Sequence, residues 1–400
     1  MIFLPKSCTN TGPSPFAVRG FNTNIDSSPL TERDKTLKRV AIIGWGETEF
    51  RPHPDHHRTD LLEEATRAAL DAASITHEDL DVVLGASCDV MDGVSISNVF
   101  VVESMGGFMK EESKVEDDAA FAVFYGMTRL LAGPNRTALV ASHGKPSETP
   151  PDAASHLGTD PFYGRPVGLG HTTIAGLQAN AYLASSDASV EDFASLAAKR
   201  GRADSAAAAL AAPPLAHPLT ESMCPPITDG AVAVILAEET LARELCPHPI
   251  WIDGVGLSHD LFYPGHRDLS ESTSAREAAQ RAFAMAGIED PATAFDLAEL
   301  SARHPHEACI LVEAFGLAEP GDGARFLLEG SLPIDPSGGA LCADADFPTG
   351  LRAVVAACQQ LTGTAGSVQI EGSPRRALAH GSSGAALQAN IVFALSREAS

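Results

Sequence analysis

"RVAIIGWG" (residues 39–46) and "PIWIDGVG" (249–256) are short apolar runs that each end in Gly-x-Gly, and their recurrence decides the fold. A continuous apolar run of this length predicts a buried strand. Each run is followed by an alanine-rich pattern with helical spacing, "TDLLEEATRAALDAASI" (59–75) and "TSAREAAQRAFAMAGI" (273–288). Because position 249 follows position 39 by 210 residues, the same order of elements occurs twice. The sequence therefore predicts an internally duplicated α/β fold.

Two further pairs of segments support the duplication. "TALVASHG" (137–144) is similar to "RALAHG" (376–381), and each is an apolar strand pattern that ends in His-Gly. "GAVAVILA" (230–237) is similar to "ANIVFALS" (389–396), and each closes its part of the repeat. The chain is thus predicted to consist of two similar halves that are rich in strand–helix–strand units.

These repeats predict three parts of the chain. Residues 1–37 are rich in Ser, Thr, Asn, Pro and Gly without periodicity, which predicts a flexible N-terminal extension. Residues 38–245 form the predicted first half and include an insert at about 145–226 with Pro-, Gly- and Ala-rich stretches. Residues 246–400 form the predicted second half.

The composition excludes several classes of partner. The chain has 400 residues and a formal net charge of −24, which disfavours binding to a nucleic acid because a phosphate backbone attracts Lys and Arg. A local basic spot can still hold a small phosphorylated ligand such as a CoA thioester. The seven cysteines form no Cys-x-x-Cys pair, which favours reduced thiols in a cytosol. With no apolar run of about 20 residues, we expect a cytoplasmic protein without a membrane span.

Two motifs in the first half are weak. "GWGETEF" (44–50) begins like a nucleotide-binding glycine loop but lacks the third glycine and a helix directly after it. "HPDHH" (53–57) contains ligand types for zinc, but its proline-containing context and spacing favour a solvated loop. We therefore predict no metal site and no covalently bound cofactor.

Four motifs carry a resemblance to a known family. They are "RVAIIGWGETEF" (39–50), "PITDGAVAVILA" (226–237), "EAFGLAEPGDGARFLLEG" (313–330) and "DPSGGAL" (335–341). In this order and spacing, the chain resembles the thiolase superfamily over about residues 38–398, nearest to sterol-carrier-protein-type thiolases and lipid-transfer-like acetyltransferases. The resemblance implies a duplicated, five-layered αβαβα fold, CoA thioesters as substrates and a homodimer or larger oligomer.

The resemblance also implies a catalytic cysteine at the start of a buried helix, where the helix dipole favours a thiolate. The family's Val-Glu-x-x-Cys-Ala-Ser-Gly corresponds to "VEDDAAFA" (115–122), so Ala119 stands at the nucleophile position. The family's His-Asp-x-Phe corresponds to residues 301–304, its Gly-His-Pro to "CADADFPTG" (342–350), and its late Cys-x-Gly to His380 and Gly381. All four signatures differ from the family pattern.

Each remaining candidate has a functional and a structural interpretation. His380 is an acid–base candidate or a hydrogen-bonded core histidine. Asp117 and Asp118 form a carboxyl pair or cap the next helix, and the two interpretations are compatible. His304 and His306 lie near the family's histidine segment, and Cys342 is a displaced nucleophile or a buried thiol. Backbone donors for the substrate are predicted in the turn and strand residues Ser337, Gly338, Gly339 and Gly381.

Three functions remain open. The first is a thiolase-like subunit without its own covalent chemistry, which scaffolds a CoA-thioester enzyme complex. Its partner would be a second copy, another thiolase-like chain, or the small OB-fold, zinc-ribbon protein that accompanies lipid-transfer-like thiolases. The second is a retro-aldol lyase that acts on a CoA thioester through acid–base residues with such an OB-fold partner. The third is a thiolase or acetyltransferase that uses Cys342.

Overall fold

The computed structural model describes residues 39–149 and 151–397, so the predicted extension at residues 1–37 lies outside the described residues. Within the described residues the strands are β1 (Val40–Glu47), β2 (Val82–Ala86), β3 (Glu111–Val115), β4 (Thr137–Gly144), β5 (Pro214–Ala216), β6 (Leu219–Thr220), β7 (Gly230–Glu238), β8 (Ile250–His259), β9 (Leu297–Glu299), β10 (Arg376–Ser383) and β11 (Ala389–Arg397).

The helices of the same residues alternate with these strands. They are α1 (Arg58–Ala73), α2 (Asp89–Asp92), α3 (Ser97–Val101), α4 (Ala119–Ala132), α5 (Pro151–Gly158), α6 (His171–Ser185), α7 (Val190–Lys199), α8 (Ala206–Ala211), α9 (Glu239–Leu245), α10 (Thr273–Ala286), α11 (Pro291–Ala294), α12 (Pro305–Ala314), α13 (Gly323–Glu329), α14 (Gly339–Cys342) and α15 (Thr349–Thr362).

The sheet topology repeats in the two halves. Nine strands of the described chain follow the order β3-β2-β4-β7-β1-β8-β11-β10-β9. In each half, the first strand is antiparallel to the closing strand, β1 to β7 and β8 to β11, and the closing strand is also antiparallel to a second strand, β7 to β4 and β11 to β10. The halves meet where Ala41 and Ile42 of β1 pair with Trp251 and Ile250 of β8. The six strand segments quoted above from the repeats are confirmed.

Three hydrophobic cores hold the five layers of helix and sheet together, and the central core contacts both halves of the sheet. One core packs α1 against the outer face of the first half of the sheet. A central core joins α4 and α15 to strands from both halves. The third packs α7, α10 and α12 against the strands of the second half. The duplicated αβαβα fold is therefore present, and the buried helices α4 and α15 lie between the two halves.

The repeated Gly-x-Gly motif has a packing cause. A Cβ atom at Gly46 would lie 2.3 Å from the backbone oxygen of Ala65 in α1. A Cβ atom at Gly256 would lie 2.1 Å from the backbone oxygen of Ala278 in α10. Since real Cβ atoms do not approach that closely, glycine on the strand and alanine on the helix let each pair pack tightly. The duplicated sequence pattern thus encodes the same strand–helix contact twice.

No helix in the described part of the chain is both long and apolar enough to cross a membrane.

Candidate functional site

The N-terminus of α4 is held against the start of α15 by Asp118. Its carboxylate caps α4 by accepting a hydrogen bond from the backbone N–H of Ala120 at 2.8 Å, and it also accepts one from Gly350 at 2.7 Å. The backbone N–H of Ala119 donates to the oxygen of Phe347 at 2.8 Å. The capping role predicted for Asp118 is thus present, and the same side chain ties together segments more than 200 residues apart.

A pocket of about 250 Å³ opens beside this helix terminus. Its charged and titratable wall contains Asp118, His171, Arg303 and Asp346. The remaining lining residues are Cys88, Val90, Met91, Ala154, Ser155, Leu157, Gly158, Phe347, Ser382, Ser383 and Gly384. We call this space the inner pocket.

A wider cavity of about 970 Å³ continues from the inner pocket. The two share Ser155, Gly158, His171 and Gly384. The wider cavity is lined mainly by aliphatic and aromatic side chains, which include Tyr163, Leu169, Ile174, Leu177, Phe262, Tyr263 and Leu269. Its volume lies at the upper end for sites that enclose a small organic ligand. We call it the outer cavity.

Both carboxyl groups of the inner pocket are perturbed. Burial raises the pKa of Asp118 to about 7, although the backbone N–H groups of Ala120 and Gly350 oppose the shift. Burial and the neighbouring Asp344 carboxylate raise the pKa of Asp346 to about 7, although Arg303 opposes this shift. Near neutral pH, each group therefore divides between its acid and its base form, which suits proton transfer.

Asp346 has two further unusual features. Its φ angle is 64°, in the left-handed region that few residues other than glycine adopt. Its Oδ2 atom is shielded from solvent and has no hydrogen-bond partner among the described residues. Strained backbone and an unsatisfied polar atom destabilise a fold, and such features concentrate at functional sites.

Arg303 supplies a fixed positive charge to the same pocket. Its Nε atom lies 2.6 Å from Oδ2 of Asp344. Thr349 donates to the other oxygen of Asp344 at 2.6 Å, which holds the carboxylate in place. Burial lowers the pKa of Arg303, but the nearby carboxylates of Asp344 and Asp346 raise it by more. The net shift is upward, so the guanidinium stays protonated.

His171 begins α6 at the junction of the inner pocket and the outer cavity. Its side chain is exposed to the space of the pocket, yet the surrounding walls desolvate it and lower its pKa. A neutral imidazole at this point can accept or donate a hydrogen bond.

His380 lies behind the pocket wall and is fully buried. Its Nδ1 accepts the backbone N–H of Ser301 at 3.3 Å, and its Nε2 lies 2.9 Å from Oδ1 of Asn390. Asn390 donates in turn to Oγ of Ser274 at 2.8 Å. Burial lowers the pKa of His380 to about 4, so the ring is neutral at pH 7. This placement favours the core interpretation, one of the two that the sequence left open.

Other predicted candidates lie outside the lining of the inner pocket. Oδ2 of Asp117 lies 3.5 Å from Nε2 of His259 near the surface. The thiol of Cys342 donates to the oxygen of Arg200 at 3.1 Å. His304 is buried with its Nδ1 3.0 Å from Oε1 of Glu307. Of the predicted catalytic side chains, only Asp118 lines the inner pocket among the residues that the structure describes.

The predicted backbone donors have structural partners. Ser337 donates its hydroxyl to Oε2 of Glu299 at 2.6 Å, which ties the turn to β9. Gly338 and Gly339 adopt φ angles of 95° and 66°, as the tight turn requires. A Cβ atom at Gly381 would lie 2.6 Å from Cβ of Ala120, so glycine is needed there for packing against α4.

Four residues that line the inner pocket were not predicted from the sequence as site residues: Asp346, Arg303, His171 and Cys88. Asp346 and Arg303 lie in the two segments where the family's histidines were sought, 342–350 and 301–304. A search for any titratable group in those segments, rather than for histidine, would have found both. His171 follows Gly170 in the insert and carries no motif signal.

The raised pKa of Asp346 predicts how stability depends on pH. Below its usual value of 3.8 the carboxyl is protonated in both states, and between 3.8 and about 7 only the folded state keeps the proton. Unfolding therefore releases a proton in this window, and stability falls as pH rises. We expect Asp346→Asn to remove this contribution, so that its melting temperature rises relative to wild type from pH 4 to 7 and then stays level. A difference that does not change with pH, measured by calorimetry, would contradict this assignment.

Comparisons with known proteins agree with this architecture. Residues 258–397 match the family model of the thiolase C-terminal domain. An acetyl-CoA acetyltransferase of Methanothermobacter thermautotrophicus is 24% identical over 365 residues, which cover 84% of this chain and 94% of that protein.

Two solved structures share the fold. The Ltp2-ChsH2(DUF35) aldolase superposes with a TM-score of 0.74 at 19% identity, over 89% of this chain and 97% of that chain. A monomeric SCP2-thiolase-like protein type 1 from Mycobacterium smegmatis superposes with a TM-score of 0.63 at 18% identity, over 90% and 77%. With the duplicated strand order and the central helices α4 and α15, these matches show that the chain has the thiolase fold and that its residues 258–397 resemble the thiolase C-terminal domain.

Proposed function

We propose that the protein is a lyase that cleaves a carbon–carbon bond of a 3-hydroxyacyl-CoA thioester by a retro-aldol reaction. The observation that carries this proposal is the pair Asp118 and Asp346, two carboxyl groups of one pocket whose pKa values are both raised to about 7. Retro-aldol cleavage needs a base, an acid and a positive group near the thioester oxygen, and it needs no thiol nucleophile. Ala119 at the start of α4 is compatible with that chemistry.

The reaction assigns a role to each charged group. Asp346, which lines the inner pocket, acts as the base and takes the proton of the 3-hydroxyl group. The C2–C3 bond then breaks, C3 leaves as a ketone or aldehyde, and the bonding electrons form a thioester enolate. Arg303 stabilises the enolate oxygen, and protonated Asp118 donates its proton to C2. The products are one carbonyl compound and one shortened acyl-CoA.

The outer cavity supports a bulky, apolar acyl group. Its volume of about 970 Å³ and its aliphatic and aromatic walls suit a large hydrophobic substituent at C3. His171, at the junction, would contact the substrate where the acyl group passes from the outer cavity into the inner pocket.

We also propose that activity requires a second subunit with an OB fold and a zinc ribbon. The structural neighbour is an aldolase that contains Ltp2 together with ChsH2(DUF35), and its fold covers 89% of this chain. The scaffold hypothesis from the sequence shares this partner but assigns no chemistry to the inner pocket. The raised pKa values of both carboxyl groups and the strained backbone of Asp346 favour a catalytic chain over a pure scaffold.

Activity assays distinguish a catalytic chain from a pure scaffold. The full chain would be mixed with 3-hydroxyacyl-CoA thioesters that carry small or bulky apolar groups, with and without the OB-fold subunit. We expect carbonyl product, detected with a hydrazine reagent, only with the bulky thioesters and in the presence of that subunit. Absence of carbonyl product from every thioester in both conditions would support the scaffold instead.

Cys88 offers a separate test, because it is the cysteine that lines the inner pocket. The proposed reaction forms no acyl-enzyme, so we expect Cys88→Ser to keep activity within about threefold of wild type. Cys342→Ser is the matched control, because the thiol of Cys342 donates a hydrogen bond to the backbone oxygen of Arg200 and lies outside the pocket lining. A loss of about 100-fold or more in Cys88→Ser alone would indicate covalent catalysis by that thiol.

A further inference from the structure

Three metal-ligand side chains lie together at the start of α12, outside the proposed reaction site. His304, His306 and Glu307 each place one ligand atom within 4.8 Å of those of the other two. We call these residues the histidine cluster. His304 and Glu307 are less than 10% exposed, and His306 is fully buried. Two imidazoles and a carboxylate in this proximity are a typical partial ligand set for zinc.

His306 is the unusual member of the cluster. Neither of its ring nitrogens has a hydrogen-bond partner within the described part of the chain. Its ring lies 5.4 Å from that of His304 and 6.0 Å from that of Phe193, measured between ring centroids. A buried polar group without a partner destabilises the fold, whereas a metal bond satisfies an imidazole nitrogen. A ligand at His306 would remove this penalty.

The spacing and the surroundings fit a tetrahedral ion. The distance of 3.0 Å between Nδ1 of His304 and Oε1 of Glu307 is close to the separation of about 3.3 Å between two ligand atoms on zinc. Together, the three side chains would fill three of the four positions of a tetrahedral zinc ion.

The backbone orients the histidine cluster before any ion binds. Pro305 occupies the first turn of α12, and its fixed φ angle positions the flanking histidines. Oε2 of Glu307 accepts the backbone N–H of Arg303 at 2.7 Å, which is the kind of outer-shell contact that orients a ligand carboxylate. No member of the cluster lines the inner pocket or the outer cavity. A closed site of this kind has the character of a structural metal site.

We propose that His304, His306 and Glu307 bind one structural zinc ion. The ion would hold the start of α12 in place and, through the Arg303 backbone, position the guanidinium that faces the inner pocket. This inference does not depend on the proposed lyase reaction, because zinc content and stability are measured without substrate.

Metal analysis of the full chain tests the proposal. After growth with zinc and dialysis against metal-free buffer, we expect about one zinc per chain by mass spectrometry. We expect His306→Leu to lose the zinc, and His248→Leu, at an exposed histidine, to keep it. A strong chelator should lower the melting temperature of wild type by at least about 5 °C and leave that of His306→Leu unchanged.

The effect of His306→Leu on stability distinguishes a zinc site from a cluster that binds no ion. Without an ion, this change removes two unsatisfied buried nitrogens, so stability should stay equal or rise. Less than about 0.1 zinc per chain, or equal zinc in wild type and His306→Leu, would overturn the proposal. If His306→Leu does not fold, cobalt titration of metal-depleted wild type decides. Saturation at about one equivalent of cobalt would support the site, and absence of bound cobalt would overturn it.

Discussion

Asp346→Asn is expected to lower kcat/KM for carbon–carbon cleavage by about 10²–10⁴-fold, the usual contribution of a general base. Asparagine keeps the shape of the side chain and tolerates the φ angle of 64°, so the loss reports the missing proton acceptor rather than a distorted loop. The same variant should be more stable than wild type above pH 7, because the perturbed carboxyl is gone. Loss of activity with a gain of stability is the pattern expected of a functional, destabilising group.

The control for this prediction is Asp117→Asn. Asp117 precedes Asp118 but faces His259 near the surface instead of the inner pocket. We expect this variant to keep activity within about threefold, measured as initial rates of carbonyl release. Equal activity of Asp346→Asn and wild type would remove Asp346 from the mechanism.

Gly350→Ala is expected to damage both the fold and the site. A Cβ atom at this position would lie 2.2 Å from Oδ1 of Asp118 and 2.7 Å from Cα of Gly381. Asp118 cannot move aside freely, because it is buried and caps α4. We expect the variant to lose about 1–3 kcal/mol of unfolding free energy and at least about tenfold in kcat/KM, since Asp118 must shift.

Chemical denaturation and initial rates would measure these two effects. Gly265→Ala is the matched control, because its Cβ atom would meet nothing within 4 Å. We expect this control to unfold within about 0.5 kcal/mol of wild type. A Gly350→Ala protein with wild-type stability and rate would show that the contact between α4 and α15 tolerates expansion.

The fold was predictable because its signals are local and repeated. The apolar runs and Gly-x-Gly motifs around Gly46 and Gly256 recur in the same order, and each reflects one strand packed on one helix. β3 gave no such signal, because the strand "EESKV" at residues 111–115 is partly exposed and charged. In the insert, helix α6 likewise shows no clear separation of apolar and polar faces in its sequence.

The site was only partly predictable, because its residues converge from distant segments. Asp118 was found from the helix-start pattern, whereas its bond to Gly350 spans 232 positions and leaves no local trace. His380 looked like an acid–base residue from its place in the sequence. Its bonds to Ser301 and Asn390 depend on pairing between separate strands and loops. The sequence gives the type of each side chain. Whether a side chain can react also depends on its burial and its hydrogen-bond partners, which only the structure shows.

The two proposed sites lie on neighbouring elements and have different functions. The proposed reaction uses the space between α4, α6 and the loop before α15, where carboxyl groups replace a thiol chemistry. The proposed zinc ion would lie at the start of α12, directly after Arg303 in the chain. Failure of either proposal leaves the other intact, because one is read by turnover and the other by metal content.

Retro-aldol cleavage is tested most sharply by the isotope content of the products formed in D₂O. The OB-fold subunit and this chain would cleave a bulky 3-hydroxyacyl-CoA without added CoA, and the products would be analysed by mass spectrometry. We expect one carbonyl compound and one acyl-CoA that carries a single deuterium at C2, because protonation of the enolate adds one solvent hydron. No cleavage of the 3-hydroxyacyl-CoA, together with CoA-dependent cleavage of the matched 3-ketoacyl-CoA to two thioesters, would contradict retro-aldol cleavage and indicate thiolysis.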